Sequence, residues 1–367
     1  MFLLISLLLF LILVIIGIVV LSWYISTRLL YRTGVVPSFR IPVKEISEKT
    51  VILQKTANTK RPGVFGITAP DGQAIVGPLL SETAETVTRE CIHSAGILSG
   101  ANVAWNTTVY RGMLKSQLEL PITDVHIPGA LGDMPAWYVP GKRTTWAILV
   151  HGATGTREQS LRSFRTLADL DLPILAITYR NDEGAPSSPD GLSHLGDTEW
   201  QDLEASVKYA LVQGAERVLL YGWSMGGSIV EMFLDRSSSA NAVQAVVLDS
   251  PLLKWRVTLD ALVKKNSLPS FIARVTEMIV SLRTGIRFDA LDQMGQGQSG
   301  IPTLLFHGIS DTTAPIAISD TFASHHSTIT YHRIPDAEHT QCWNANPEEY
   351  EAELRLFLAQ VLDVMAI

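Results

Sequence analysis

Leu219-Leu220-Tyr221-Gly222-Trp223-Ser224-Met225-Gly226-Gly227 places G-x-S-x-G directly after a short apolar run, the form of a nucleophile elbow. Arg217 to Tyr221 reads as a buried strand, and Ser228 to Leu234 carries the apolar face of a helix. The motif therefore has the strand, tight turn and helix that it requires. Gly222 and Gly226 remove side chains that would collide where the chain reverses around a strained residue, and Gly227 lets the helix start close to the sheet. A purely structural glycine-rich turn has the same local pattern. The two readings separate only if a base and an acid stand elsewhere in the chain.

Upstream, Trp146 to Val150 is a near-continuous apolar run, as expected of a strand covered on both faces, and it ends in His151-Gly152-Ala153-Thr154-Gly155. Leu161, Phe164, Leu167 and Ala168 predict a helix over about 160–170, and Ile174 to Tyr179 the next strand. A helix is expected from about Asp197 to Gln213, and residues 125–128 with 135–140 suggest an antiparallel pair. Downstream, Ala242 to Leu248 reads as a strand ending in Asp249-Ser250-Pro251. Two amphipathic segments, about Lys254 to Lys265 and Phe271 to Arg283, precede a Gly- and Gln-rich stretch near 295–300. Residues 301–306 and 328–334 read as further strands and 347–361 as a closing amphipathic helix. This alternation predicts an α/β catalytic domain over 124–367 with a mostly parallel, doubly wound sheet and a helical lid inserted at about 252–300.

Four motifs stand in order along that domain: H-G-A-T-G at 151, G-W-S-M-G-G at 222, H-G-I-S-D-T-T-A-P at 307 and A-E-H at 337. Together they resemble the α/β-hydrolase superfamily, in particular bacterial serine hydrolases of its prolyl-oligopeptidase-like and esterase-like branches. The resemblance implies a triad of Ser224, Asp311 and His339, in the family's order of nucleophile, acid and base. A serine hydroxyl needs an imidazole to take its proton, and the imidazole needs a carboxylate to fix its tautomer and stabilise its cation. It also implies an oxyanion hole from the backbone N–H groups of Met225 and Ala153. Asp249 competes with Asp311, because some branches place the acid after the earlier strand; the H-G-x-x-D-x-x-x-P form around Asp311 favours the later position. His325 and His326 precede the last strand, whereas the family's base follows it. Arg180-Asn181-Asp182 and Asp197-Thr198-Glu199-Trp200 read as loop scaffolding and a helix cap, with Asp197 or Thr198 accepting the first helical N–H groups.

Phe2 to Ile25 is almost unbroken Leu, Ile, Val and Phe, long enough to cross a hydrocarbon core of ~30 Å. A cleaved signal fits less well, since no basic segment precedes the run and no small-x-small site follows it. Residues 1–27 are expected to form a transmembrane anchor and 28–123 a juxtamembrane connector with a β-rich accessory region. Pro37 and Pro42 disfavour regular structure in the connector, and the accessory region shows no catalytic constellation. Arg28, Arg32, Arg40 and Lys44 follow the span, which leans toward a cytoplasmic body. Cys91 and Cys342 could pair or be free, and Asn106-Thr107-Thr108 matches a glycosylation sequon.

A net charge of −7 offers no basic surface for nucleic acid. Glu338 beside His339 lacks the spacing of a metal site, and the glycine turns lack the pattern of a phosphate cradle, so neither metal nor cofactor is expected. The apolar lid residues Leu252, Leu253, Trp255, Leu259, Leu262, Phe271, Ile272, Met278 and Ile279 suit either an acyl-chain pocket or a cap that packs on the domain. The expected activity is hydrolysis of esters or thioesters, with a small-molecule or lipid-like acyl substrate. A peptidase or amidase with the same triad, and a non-hydrolytic acyltransferase or binding protein, are the alternatives.

Overall fold

The computed structural model describes residues 2–31, 37–112, 118–294 and 300–362. The N-terminal apolar run forms a single helix, α1 (Phe2–Leu30), whose 29 residues give ~43 Å at ~1.5 Å per residue. Its first two-thirds is exposed all round. From Ser22 onward one side is buried, through Ser26 to Leu30, which is fully enclosed in the core of the main sheet. The helix thus runs past residue 27, and its last turns belong to the globular body. Arg32 lies outside the described residues.

Six strands follow: β1 (Ile41–Ile46), β2 (Thr50–Gln54), β3 (Phe65–Ala69), β4 (Gly72–Glu82), β5 (Thr86–Ala95) and β6 (Asn102–Asn106). They close into an antiparallel barrel in the order β1-β2-β5-β4-β3-β6. Alternate residues such as Val43, Val51, Leu53, Ile67, Val87 and Val103 fill it. Pro42, which argues against regular structure in the sequence, falls inside β1. Closure there takes only the pairs Ile41–Val103 and Pro42–Asn102, and a proline near the start of a strand is tolerated. Asn106, the sequon residue, is buried.

Arg89 is the largest polar side chain enclosed in the barrel. Its guanidinium donates to the carbonyls of Gly77 (2.9 Å), Thr59 (3.0 Å), Arg61 (2.6 Å) and Gly63 (2.6 Å), and lies 5.7 Å and 5.5 Å from the Phe65 and Trp105 rings. Burial pulls its pKa down to about 10. Three of these carbonyls lie in the loop between β2 and β3, so one buried cation sets that loop's shape.

The second unit contains β7 (Thr123–Gly129), β8 (Gly132–Val139), β9 (Thr145–Val150), α2 (Leu161–Asp169), β10 (Ile174–Ile177), α3 (Trp200–Val212), β11 (Arg217–Trp223), α4 (Met225–Arg236) and β12 (Val243–Asp249). It continues with α5 (Trp255–Lys265), α6 (Phe271–Thr284), β13 (Thr303–Gly308), α7 (Ile316–His325), β14 (Ile329–Ile334), α8 (Cys342–Ala345) and α9 (Pro347–Val361). The sheet order is β14-β13-β12-β11-β9-β10-β8-β7, parallel from β14 to β10 with β8 and β7 antiparallel at one edge. Successive residues of β9 and β11 feed opposite faces. Ile148, Val150 and Leu220 join one core and Ala147, Leu149 and Leu219 the other, which is why these strands read as unbroken apolar runs. The α/β-hydrolase architecture expected from the motifs is the one observed.

The barrel docks through its β2–β3 loop. Val64 N donates to Asn344 O at 2.8 Å, and Asn344 Nδ2 returns bonds to Val64 O (2.8 Å) and Thr107 O (3.0 Å). A Cβ on Gly63 would lie 1.8 Å from Asn344 O, so glycine is required at this contact. On the opposite side, Arg283 of α6 donates to Ser26 Oγ (2.7 Å) and Thr27 Oγ1 (2.9 Å) and stacks 4.4 Å from the Trp23 ring, clamping α6 to α1. Removing the Arg89 donors strands buried carbonyls. Arg89→Met is therefore expected to lower the urea-unfolding free energy by about 3 kcal/mol, with Arg89→Lys recovering only part of it; wild-type stability in Arg89→Met would refute this role.

Candidate active site

Ser224 caps β11 and precedes the first residue of α4 with φ 53° and ψ −119°, a strained backbone for a residue with a Cβ. The surrounding glycines allow it. A Cβ on Gly226 would meet Val150 O at 2.0 Å, and one on Gly222 would lie 2.7 Å from the Gly226 backbone. The elbow is tied below by Ser224 N to Asp249 O (3.0 Å) and beyond by Leu252 N to Ser224 O (3.1 Å).

His339 lies in the loop after β14 and Asp311 in the loop after β13. His339 Nε2 is 2.8 Å from Ser224 Oγ, and its Nδ1 is 2.7 Å from Asp311 Oδ2. An ionised carboxylate can only accept, so Nδ1 carries the proton and Nε2 presents its lone pair to the serine hydroxyl. Asp311 Oδ1 accepts from the Thr313 and Ala314 amides at 2.8 Å each, which fixes the carboxylate plane. Burial alone would raise its pKa, but hydrogen bonds from His307 and His339 outweigh that and hold it far below the usual carboxylate range. His307 is itself oriented by Ala314 O and Ser319 Oγ.

Met225 opens α4, where a backbone N–H has no partner within the helix, and Ala153, in the loop after β9, lines the same cleft as Ser224. That loop is braced from beneath. His151 Nε2 sits 2.9 Å from Asp182 Oδ2, and Tyr179 donates its hydroxyl to Gly152 O at 3.1 Å. Arg180 forms a buried two-point pair with Asp202 at 2.8 and 2.9 Å. The Arg180-Asn181-Asp182 segment is scaffold, as its sequence suggests. The expected helix cap does not form among the described residues: neither the Asp197 nor the Thr198 side chain accepts an amide of α3, and its N-cap residue Glu199 makes no side-chain bond to the helix. Asp197 pairs with Arg236 at 2.8 Å, and the Glu199 carboxylate instead accepts from the amides of His194 and Gly196.

Asp249, the competing acid, is fully buried beneath the elbow. Its carboxylate accepts from Ser250 Oγ (3.0 Å) and Tyr350 OH (3.2 Å), with Arg162 Nη2 at 3.9 Å. This cluster reaches the histidine loop indirectly, since Ser250 Oγ accepts from Thr340 N and Arg162 donates to Thr340 O. Cys342 lies in the same cluster, free and buried, its thiol pushed well up by burial and by Asp249; Cys91 is free and buried in the barrel. His325 and His326 end α7 and bond to Thr321 O and Met294 O. Among the described residues no group of His, Cys, Asp and Glu converges as metal ligands do.

Ser224 and His339 open into a cleft of about 660 Å³. From the insertion, Leu252, Trp255 and Leu262 line it. Leu253, Leu259, Ile272 and Ile279 pack inside the fold, and Phe271 and Met278 face outward. The remaining wall is one that sequence reading missed: Arg28, Leu29 and Tyr31 from the end of α1, and Arg61, Trp105 and Arg111 from the barrel side. No local motif marks them, because they meet only through the docking of three separate chain segments.

The model of a domain of unknown function matches residues 42–106, the barrel, and that of the alpha/beta hydrolase family matches residues 147–353. No curated protein matches the chain by sequence. An esterase of Pyrococcus furiosus has a similar structure, with a TM-score of 0.56 at 21% identity over 68% of this chain and 95% of its own. A serine hydrolase from the polyaromatic-hydrocarbon-degrading bacterium Cycloclasticus zankles gives 0.50 at 16% identity over 66% of this chain and 99% of its own. At these identities the likeness speaks for the fold. With the family model spanning more than half of its length, the chain belongs to the alpha/beta hydrolase family.

Proposed function

We propose that this protein is a membrane-anchored serine hydrolase that cleaves carboxylic ester or thioester bonds through an acyl-enzyme. The observation that carries this reading is the continuous relay from Ser224 Oγ through His339 to Asp311, at 2.8 and 2.7 Å, at the floor of an accessible cleft. Ser224 Oγ attacks the acyl carbon while His339 takes its proton. The imidazolium, stabilised by Asp311, then protonates the departing alcohol or thiol. The Met225 and Ala153 N–H groups receive the negative charge that develops on the carbonyl oxygen. A water, deprotonated by His339, attacks the acyl-enzyme and restores the serine. Asp249 supports the elbow and the histidine loop from below.

The division into an anchor, a barrel and a catalytic domain follows the same reading. α1 is long and apolar enough to cross a bilayer, and Trp23 and Tyr24 sit where its fully exposed part ends, as interfacial aromatics do. Arg28, Leu29 and Tyr31 line the catalytic cleft, so cleavage of α1 as a signal would remove part of that wall. Phe271, Met278 and Leu282 form an exposed apolar stripe at helical spacing on α6, the helix clamped to α1, and the same bilayer would cover it.

A fluorophosphonate probe is expected to label the wild type and not Ser224→Ala; labelling that survives the substitution would refute the nucleophile. Asp311→Asn is expected to lower kcat by about 10⁴-fold and Asp249→Asn by far less, and the opposite ranking would reassign the acid. Because Asp311 stays ionised far below the ordinary carboxylate range, protonation of this carboxylate is expected to add no second proton to the acid limb of kcat/KM. A two-proton limb in a stopped-flow pH profile would contradict this. Turnover of p-nitrophenyl esters of graded chain length is expected to exceed that of aminoacyl anilides.

A further inference from the structure

We propose that the cleft above Ser224 selects acyl substrates whose non-acyl portion carries an oxyanion, a phosphate or a carboxylate; this rests on the reading of Ser224 as the nucleophile. The chain as a whole is acidic, with a net charge of −7. Its catalytic cleft has the opposite sign. Among the described residues lining it, Arg28, Arg61, Arg111 and Lys265 face one carboxylate, Glu338. That carboxylate is already engaged, by Arg61 Nη2 at 3.4 Å and by Thr312 Oγ1 at 3.0 Å.

The cations come from three unrelated parts of the fold: the end of α1, the barrel side and α5. Two of them are held in place. Arg61 donates to Gln341 Oε1 at 2.8 Å, and Lys265 Nζ donates to Thr312 Oγ1 at 2.8 Å. Positive groups gathered at a concave, partly desolvated wall focus the field on an anion far more than the same groups scattered over a surface.

A second observation points to an acceptor-rich ligand. Trp255 and Thr258 of α5 are 4% and 7% exposed, and neither Trp255 Nε1 nor Thr258 Oγ1 has a hydrogen-bond partner among the described groups. Both residues line the cleft. An unpaired buried donor is costly, and indole N–H can only donate, so the missing partner is an acceptor. Trp255, Thr258, Leu262 and Lys265 recur at spacings of three, four and three residues and so share one face of α5, with both orphan donors deep and the ammonium at the exposed mouth. Arg28 stands a turn beyond Trp23 and Tyr24, at the depth of lipid head groups if α1 spans a bilayer. The anion can thus belong to a membrane amphiphile or to a soluble ester.

The test uses the full chain in non-ionic detergent micelles, with a long-chain 1-acylglycerol 3-phosphate and the matched 1-acylglycerol. The ratio of their kcat/KM values is expected to favour the phosphate by about tenfold or more, and to shrink at high salt as screening predicts. Arg28→Gln and Arg111→Gln are each expected to lower that ratio several-fold, mainly through KM. Trp255→Phe, which keeps the ring and removes the donor, is expected to raise KM for the phosphate substrate. Equal kcat/KM for the two substrates, or a ratio unmoved by both arginine variants, would overturn the proposal while leaving the hydrolase reading intact.

Binding separates the two readings further. Non-hydrolysable ether analogues of both ligands are titrated into Ser224→Ala by tryptophan fluorescence, so the anion preference is measured even if wild-type turnover is absent. Tighter binding of the phosphate analogue supports the proposal and equal binding overturns it. A short-chain, monomeric acylglycerol phosphate distinguishes the sources: the preference kept in free solution identifies a soluble anionic ester, and the preference seen only in micelles identifies a lipid head group.

Discussion

Ser224 can sit where it does because α4 approaches the sheet closely enough that a methyl group on Gly226 would overlap the Val150 carbonyl. That approach forces the backbone of Ser224 to positive φ, and the strain is held by hydrogen bonds to Asp249 O and from Leu252 N. The rest of the site is arranged around this fixed point. β12, β13 and β14 follow β11 in order across the sheet, and the loops after β13 and β14 deliver Asp311 and His339 to the side of the elbow, at the carboxyl ends of the parallel strands.

The histidine loop is held by contacts from several directions. From below, Ser250 and Arg162 bind the Thr340 backbone. From the barrel, Asn344 is bonded to Val64 and Thr107, while Arg61 reaches Gln341 and Glu338. Arg89 shapes the loop that carries Arg61 and Gly63. The buried Arg89 guanidinium is in this way connected through packed loops to the segment that carries His339. The barrel is a wall of the cleft and a brace for the His339 loop, rather than a separate module on a tether.

α1 is similarly shared between two environments. Its exposed apolar length suits hydrocarbon, whereas its final turns contribute Leu30 to the main core and Arg28 and Leu29 to the cleft, with Tyr31 directly after the helix. The Arg283 clamp joins it to α6, so the inserted helices and the apolar helix form one packed unit beside the cleft. The shape of the cleft is then coupled to the position of α1, because side chains at its end line the same space as Ser224.

Elements whose signals are local can be read directly from the chain: the doubly apolar strands β9, β11 and β12, the glycine-framed turn at Ser224, the antiparallel pair β7 and β8, and the long apolar helix. The sequence also brought Ser224, Asp311 and His339 into one reading, because the loops that carry them follow strand ends in a fixed order. The rest depends on long-range packing. Glu199 rather than Asp197 or Thr198 satisfies the amides before α3, since the segment coils back on its own carboxylate. Pro42 sits in a strand because the barrel seam is short. The cationic wall of Arg28, Arg61, Arg111 and Lys265 is illegible in the chain, where up to 237 positions separate its members. Their proximity comes from long-range docking, and a periodicity or a motif records only what neighbours in sequence do.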